Sequence, residues 1–114
     1  MLGQLNEPRR VVVTGMGIAS PLGLGVEHVW KRLLAGESGI GPISSFDAKD
    51  LPARIAGQVP AGTRAEGGLD LNEWIPVKDQ KKMDRFIHLA MVAAAEAVED
   101  SGWVPQTDED RWGT

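Results

Sequence analysis

Cysteine and tyrosine are both absent from this sequence of 114 residues. The lack of cysteine excludes disulfide bonds, thiolate metal sites and a cysteine nucleophile within these residues. The two histidines, His28 and His88, lie sixty positions apart and make a poor metal site. No apolar run approaches the length of a membrane-spanning helix, and the first residues lack the apolar region of a signal peptide. We therefore expect a soluble, cytoplasmic protein without a membrane partner.

Composition and charge are otherwise ordinary. Hydrophobic residues make up 42% of the chain and charged residues 25%, as in typical soluble domains. The net charge of −4 argues against a general affinity for nucleic acid. The length allows one small domain with a modest core.

The first third of the chain reads as strand, turn and helix. Residues 1–8 are predicted to be a disordered leader. The continuous apolar run Val11–Thr14 predicts a strand buried on both faces, as in parallel sheets. An apolar stripe at helical spacing from Val26 to Leu34, followed by Gly36, predicts a helix on which His28 faces solvent. This order opens an α/β unit.

The glycine-rich segment, residues 15–25, has features of a dinucleotide site because Gly15-x-Gly17 follows the predicted strand. However, Ser20 stands at the third glycine position and Pro21 follows it. No helix opens there to offer its N-terminus to a pyrophosphate. The pattern favours a structural turn over a nucleotide-binding loop.

The middle of the chain carries weaker signals. Glycines and a proline predict a loop over residues 37–50, and residues 54–59 are predicted to be extended. Residues 60–68 read as a polar, mobile loop. A short turn of helix is predicted over residues 71–74.

The strongest helical signal runs from Pro76 to Gly102 and predicts one long helix, with proline at its first position and glycine just past its end. Its start is basic. Four cations at i, i+3, i+4 and i+7 would share one face, repel each other and oppose the macrodipole. They are Lys78, Lys81, Lys82 and Arg85. A solvated face and a docking surface both remain open at this point.

No strand signal follows that helix before Thr114. Two short strands and two helices offer too little sheet to cover the apolar faces. We therefore expect a piece of a larger α/β domain rather than a small domain complete in itself.

Several separate blocks closely resemble, in order and spacing, the start of the β-ketoacyl-acyl-carrier-protein synthases, in particular the elongating synthase II type. The resemblance spans residues 9–114. It implies an α/β, thiolase-like layered fold, usually dimeric, of which these residues would be the opening part of the first half. The matching blocks are Arg9–Gly17, Ser20–Gly23, Trp30–Ile40, Phe46–Asp47, Lys78–Phe86 and Asp100–Gly102.

The resemblance also implies a function, the decarboxylating condensation of acyl and malonyl thioesters, with no cofactor. The family's catalytic cysteine would lie beyond this chain, and neither His28 nor His88 matches a catalytic histidine motif. Related polyketide ketosynthases share these blocks, and so would a non-catalytic partner subunit that lacks the nucleophile. Both alternatives stay open.

One binding role follows from the resemblance by position. Lys78, Lys81 and Lys82 fall on the motif that forms part of the docking surface for acyl carrier protein, and Arg85 lies nearby. The carrier is acidic, which gives a physical reason to gather cations on an acidic protein. We therefore predict carrier-protein binding at these four residues and no catalytic residue in the chain.

Overall fold

The computed structural model describes residues 8–112, so the predicted leader lies outside the described residues except for Pro8. Helices and short strands alternate along the chain. In these residues no helix is long and apolar enough to cross a membrane. The elements are β1 (Ala19–Ser20), β2 (Gly23–Leu24), α1 (Val26–Leu34), β3 (Ile40–Pro42), β4 (Ile55–Gly57), the 3₁₀ helices Arg64–Glu66 and Leu71–Glu73, α2 (Val77–Gln80), α3 (Arg85–Ser101) and α4 (Asp108–Trp112).

The strands form two separate antiparallel pairs. β1 and β2 make a tight hairpin in which Ala19 pairs with Leu24, and β3 pairs with β4 so that Gly41 faces Ala56. The mixture of helix and strand agrees with the predicted α/β class. A parallel sheet is not formed within residues 8–112, where the only parallel pairing is an isolated bridge between Ala61 and Leu69.

The predicted buried strand at Val11–Thr14 is wrong for the described structure. These residues belong to no strand, and Val11 is 87% exposed. A strand needs a neighbour to receive its N–H groups and carbonyls. No other part of residues 8–112 provides that neighbour. An apolar segment with strand-like composition therefore lies uncovered.

The helix predictions divide into one success and one correction. α1 begins and ends as expected, and Gly36 follows with a positive φ of 72°. The single helix from Pro76 to Gly102 is wrong, because α2 and α3 are separated by residues 81–84. Asp84 has φ −76° and ψ 164°, which leaves the helical region, and aspartate is favoured just before a helix. Gly102 ends α3 in the left-handed conformation as predicted.

The loops hold more structure than the sequence suggests. β3 lies in the predicted loop 37–50, and the segment 60–68 contains a 3₁₀ helix. The extended segment 54–59 is confirmed by β4, and the short turn over 71–74 by the second 3₁₀ helix. α4 was not predicted. Within residues 103–112 no strand follows α3.

The core is small. Leu24, Leu69 and Val92 are buried together, and five partly buried side chains surround them. The Cα radius of gyration is 19.3 Å, against about 13 Å expected for a compact domain of this length. Apolar residues of α1 also remain exposed, among them Trp30 and Leu34. The described residues therefore do not close around one core.

Candidate functional site

The candidate site is the basic segment, residues 78–85, which joins α2 to α3. All four predicted cations in it are exposed. After α2 the chain turns through two backbone hydrogen bonds, from Lys82 N–H to the Asp79 carbonyl at 3.0 Å and from Met83 N–H to the Gln80 carbonyl at 3.3 Å. α3 then begins after Asp84. The segment thus contains most of α2, the turn over residues 81–84 and the first residue of α3, and is not the first turns of one helix.

The predicted single face of four cations is therefore wrong as geometry. Lys78 lies in α2, Lys81 and Lys82 follow it, and Arg85 is the first residue of α3. Lys81 and Lys82 lie beside the last carbonyl groups of α2, a setting that favours cations. Lys78 and Arg85 are in the first turns of α2 and α3. The break between the helices therefore relieves only part of the unfavourable electrostatics expected from the sequence.

Ion pairing separates the four cations further. Lys82 Nζ lies 3.5 Å from Asp79 Oδ1, although the lysine side chain is 72% exposed. Lys78, Lys81 and Arg85 form no ion pair with any residue between 8 and 112. Arg85 lines a surface groove that also contains Glu66 and Asp70. The cations least compensated by carboxylates are therefore Lys78 and Lys81.

Arg64 provides a contrast, because it is a cation that is already satisfied. Its guanidinium donates hydrogen bonds to Glu99 on α3 and stacks on Trp74, with Cζ 4.3 Å from the ring centroid. The hydrogen bond from Arg64 lowers the pKa of Glu99, and the same contact raises the pKa of Arg64. Arg64 therefore fastens the segment 60–68 to α3 and is not available to a partner.

Main-chain N–H groups of the glycine-rich segment already donate hydrogen bonds to carboxylates of α3. Met16 N–H donates to Asp100 Oδ2 at 2.9 Å. Glu96 accepts from Ile18 N–H at 2.9 Å and from Val26 N–H, at the start of α1, at 2.8 Å. Phosphate loops need free N–H groups and no adjacent negative charge. The structure thus gives a physical reason for the structural-turn interpretation.

Gly15 and Gly17 of that segment permit the contact. A Cβ on Gly15 would lie 2.2 Å from the Ala97 carbonyl oxygen, and one on Gly17 would lie 1.8 Å from that of Ala93. Any side chain at either position would push the segment away from α3. Only the missing Cβ lets the main chain approach closely enough for Glu96 to reach it.

The two histidines occupy structural positions. His28 was expected to face solvent but is half-buried, because its ring packs against Gly23 and Gly67, where no side chains compete for the space. His88 lies on α3 as predicted and is buried. Its Nε2 is 3.0 Å from the carbonyl oxygen of Gln80. Sequence reasoning missed these contacts, as it missed Glu96 and Asp100, because each partner is distant along the chain or across a turn.

Comparison with known proteins supplies the family. Residues 8–114 match the family model described as "Beta-ketoacyl synthase, N-terminal domain". The chain belongs to the β-ketoacyl synthase family. The resemblance noted in the sequence is thereby confirmed.

Individual relatives agree with this assignment. The chain is 45% identical to a 3-oxoacyl-acyl-carrier-protein synthase 2 of Rhizobium meliloti, over 93% of this chain and 25% of the relative. It is 39% identical to a granaticin polyketide putative β-ketoacyl synthase 2 of Streptomyces violaceoruber, over 90% of this chain and 23% of that protein.

A solved structure extends the agreement to three dimensions. The ishigamide ketosynthase/chain length factor is 36% identical with a TM-score of 0.68, over 90% of this chain and 23% of that chain. This likeness places the chain in the ketosynthase fold. In all three comparisons the chain spans about a quarter of the other protein's length.

Proposed function

We propose that this β-ketoacyl synthase chain is the N-terminal part of an elongating enzyme of fatty-acid synthesis, which condenses acyl and malonyl thioesters carried by acyl carrier protein. The family match over residues 8–114 and the name of the Rhizobium relative support this proposal. The catalytic cysteine and histidines would lie outside these residues. The predicted homodimer and cytoplasmic location stay predictions.

Within this function we propose that the basic segment binds the acidic carrier. The proposal rests on the exposure of the segment's cations and on their lack of ion-pair partners. Lys78 and Lys81 are exposed and form no ion pair within the described residues, whereas Arg64 is paired and stacked. Unpaired cations on an acidic protein create a local positive potential that attracts an anionic partner.

Kinetics of the complete synthase with two substrates test this role. Lys81→Glu combined with Lys82→Glu is expected to raise KM for a carrier-bound acyl substrate by about 5- to 150-fold, on the order of 1–3 kcal/mol. Turnover of a small acyl thioester without the carrier should barely change, because the reacting groups lie elsewhere. The salt dependence of KM should also become weaker in the variant, since part of the screened attraction is gone.

A matched control separates local charge from net charge. Lys49, like Lys82, is 72% exposed and forms one ion pair, with Asp47 at 3.2 Å. Lys31→Glu combined with Lys49→Glu changes the net charge by the same amount away from the basic segment. It should leave both substrates nearly unaffected. If the two double variants respond alike, or if both substrates respond equally to Lys81→Glu with Lys82→Glu, the docking role is refuted.

A second candidate function, a non-catalytic partner subunit of a ketosynthase, is favoured by one observation. The structural neighbour carries the name ketosynthase/chain length factor. The complete chain distinguishes the candidates, because a condensing enzyme must contain a nucleophilic cysteine. Residues 1–114 alone contain none and are expected to form no ketoacyl product. Product formation by purified residues 1–114 would contradict the proposed placement of the active site.

A further inference from the structure

His88 connects the two helices on either side of the basic segment. It lies in α3 and is 9% exposed, and its Nε2 is 3.0 Å from the carbonyl oxygen of Gln80, the last residue of α2. A carbonyl oxygen only accepts hydrogen bonds, so Nε2 carries the proton and donates. One side chain thus satisfies a C-terminal carbonyl of α2 from the first turns of α3.

The side-chain amide of Gln80 also forms hydrogen bonds. Its side-chain Nε2 donates to the Ile75 carbonyl at 2.8 Å and to Asn72 Oδ1 at 3.0 Å. Met83 N–H donates to the Gln80 carbonyl oxygen that His88 also contacts. Gln80 is therefore fixed from both sides immediately before Lys81 and Lys82.

We propose that His88 is a positioning residue for carrier-protein binding, which holds the turn so that Lys81 and Lys82 point into the docking surface. This inference rests on the proposed docking role of the basic segment. Exposed cations each gain little from an ion pair, and a mobile turn would lose that gain in ordering entropy. A turn fixed beforehand removes most of this loss. The buried imidazole thus acts through the main chain and touches no substrate.

The inference can be tested in the complete synthase with substitutions of His88 that remove the hydrogen-bond donor or keep it. His88→Leu keeps a bulky side chain at the buried position but has no hydrogen-bond donor. It should raise KM for the carrier-bound substrate roughly three- to tenfold, as expected for one lost hydrogen bond. The kcat value and the kinetics of a small thioester should not change. His88→Gln keeps an N–H donor at similar reach and should restore most of the lost affinity.

A second pair of variants keeps the test decisive. If His88→Leu does not fold, His88→Asn takes its place, because its shorter amide stops short of the Gln80 carbonyl and should produce the same split between substrates. Val92→Ala is the control for general destabilisation. Val92 lies on α3, is buried in the hydrophobic core and is not part of the contacts around Gln80. It should lower the melting temperature without separating the two substrates.

The outcomes distinguish this inference from the docking proposal beneath it. If Lys81→Glu with Lys82→Glu raises KM for the carrier-bound substrate but His88→Leu does not, the positioning role is overturned and docking stands. The same conclusion follows if the leucine and glutamine variants lose affinity equally, since the donor is then irrelevant. If the double lysine variant has no selective effect, docking fails and the role of His88 falls with it.

Discussion

The glycine-rich segment and the basic segment both carry features that proteins use to bind anions, and they differ in what their positive groups already contact. In the first, the N–H groups of Met16 and Ile18, and that of Val26 directly after the segment, donate to carboxylates of α3. In the second, Lys78 and Lys81 form no ion pair within residues 8–112. A motif attracts an anion only where its donors or cations remain uncompensated, which the sequence alone does not reveal.

The largest effect on stability should come from a side chain inserted between the glycine-rich segment and α3. In Gly17→Ala the new Cβ would meet the Ala93 carbonyl at 1.8 Å. We expect the complete synthase to lose about 3 kcal/mol or more of unfolding free energy, measured as a shift of the denaturant midpoint. Gly41→Ala is the control, because nothing lies within 4 Å of a Cβ there. Equal stability of the two variants would contradict the close approach.

A substitution of Glu96 tests whether its carboxylate stabilises the N–H groups that donate to it. Each of its oxygens accepts one main-chain N–H, so Glu96→Gln would turn an amide N–H₂ towards a donor. We expect a loss of about 1.5–3 kcal/mol in unfolding free energy. Exposed Glu109→Gln, with the same change of charge, should shift stability by about 0.5 kcal/mol or less. A nucleotide titration should show no binding to either protein, and binding to the wild type would revive the phosphate-loop interpretation.

Low pH should break the ion pair between Arg64 and Glu99. Arg64 lowers the pKa of Glu99 below its ordinary value of 4.5, so the ion pair stabilises the fold above that value and is lost as the pH falls through the lower folded pKa. Hydrogen exchange of residues 60–68 should be slower in the wild type than in Glu99→Gln at pH 6, and the two should converge once the pH falls below the lowered pKa of Glu99. Glu66 also has a lowered pKa, from its bonds to Thr63, and titrates equally in both proteins. A difference that persists at low pH would rule out this ion pair as the cause.

The smallest effect has the opposite sign. Asp79 partly neutralises Lys82, at 3.5 Å, so Asp79→Asn should leave the basic segment more positive. KM for the carrier-bound substrate should fall about twofold at low salt, in keeping with the small energy of exposed ion pairs. Asp47→Asn frees Lys49 in the same way and should leave KM unchanged. A higher KM in Asp79→Asn would show that the carboxylate positions Lys82 rather than competing for it.

Elements whose cause is local were predictable from the sequence. α1 follows from its apolar stripe and Gly36, and Gly102 marks the end of α3 because only the left-handed conformation is needed there. The break before Asp84 was not predictable in this way, since Lys81, Lys82 and Met83 are good helix formers. It is accompanied by the contact between His88 and Gln80 and by the hydrogen bonds of Gln80 to the preceding segment.

The remaining errors share a different cause, which is a partner far away in sequence. The composition of Val11–Thr14 is that of a strand, yet a strand forms only beside another, and none of residues 8–112 takes that place. Glu96 reads as an ordinary helical carboxylate until its contacts with Ile18 and Val26, at least 70 residues earlier, are known. The family resemblance predicted the cations of the candidate site, but it did not predict that they are divided between α2, the turn after it and the start of α3. Their role in binding stays a prediction.

The rate at which acyl carrier protein associates with the complete synthase tests the central claim most directly. If the basic segment steers the acidic carrier, Lys81→Glu with Lys82→Glu should slow association at least about tenfold at low salt and change dissociation much less. The difference should shrink as added salt shortens the Debye length to a few ångströms. Lys31→Glu with Lys49→Glu should associate nearly as fast as the wild type. Equal association rates for the wild type and the Lys81 and Lys82 variant at low salt would contradict the account.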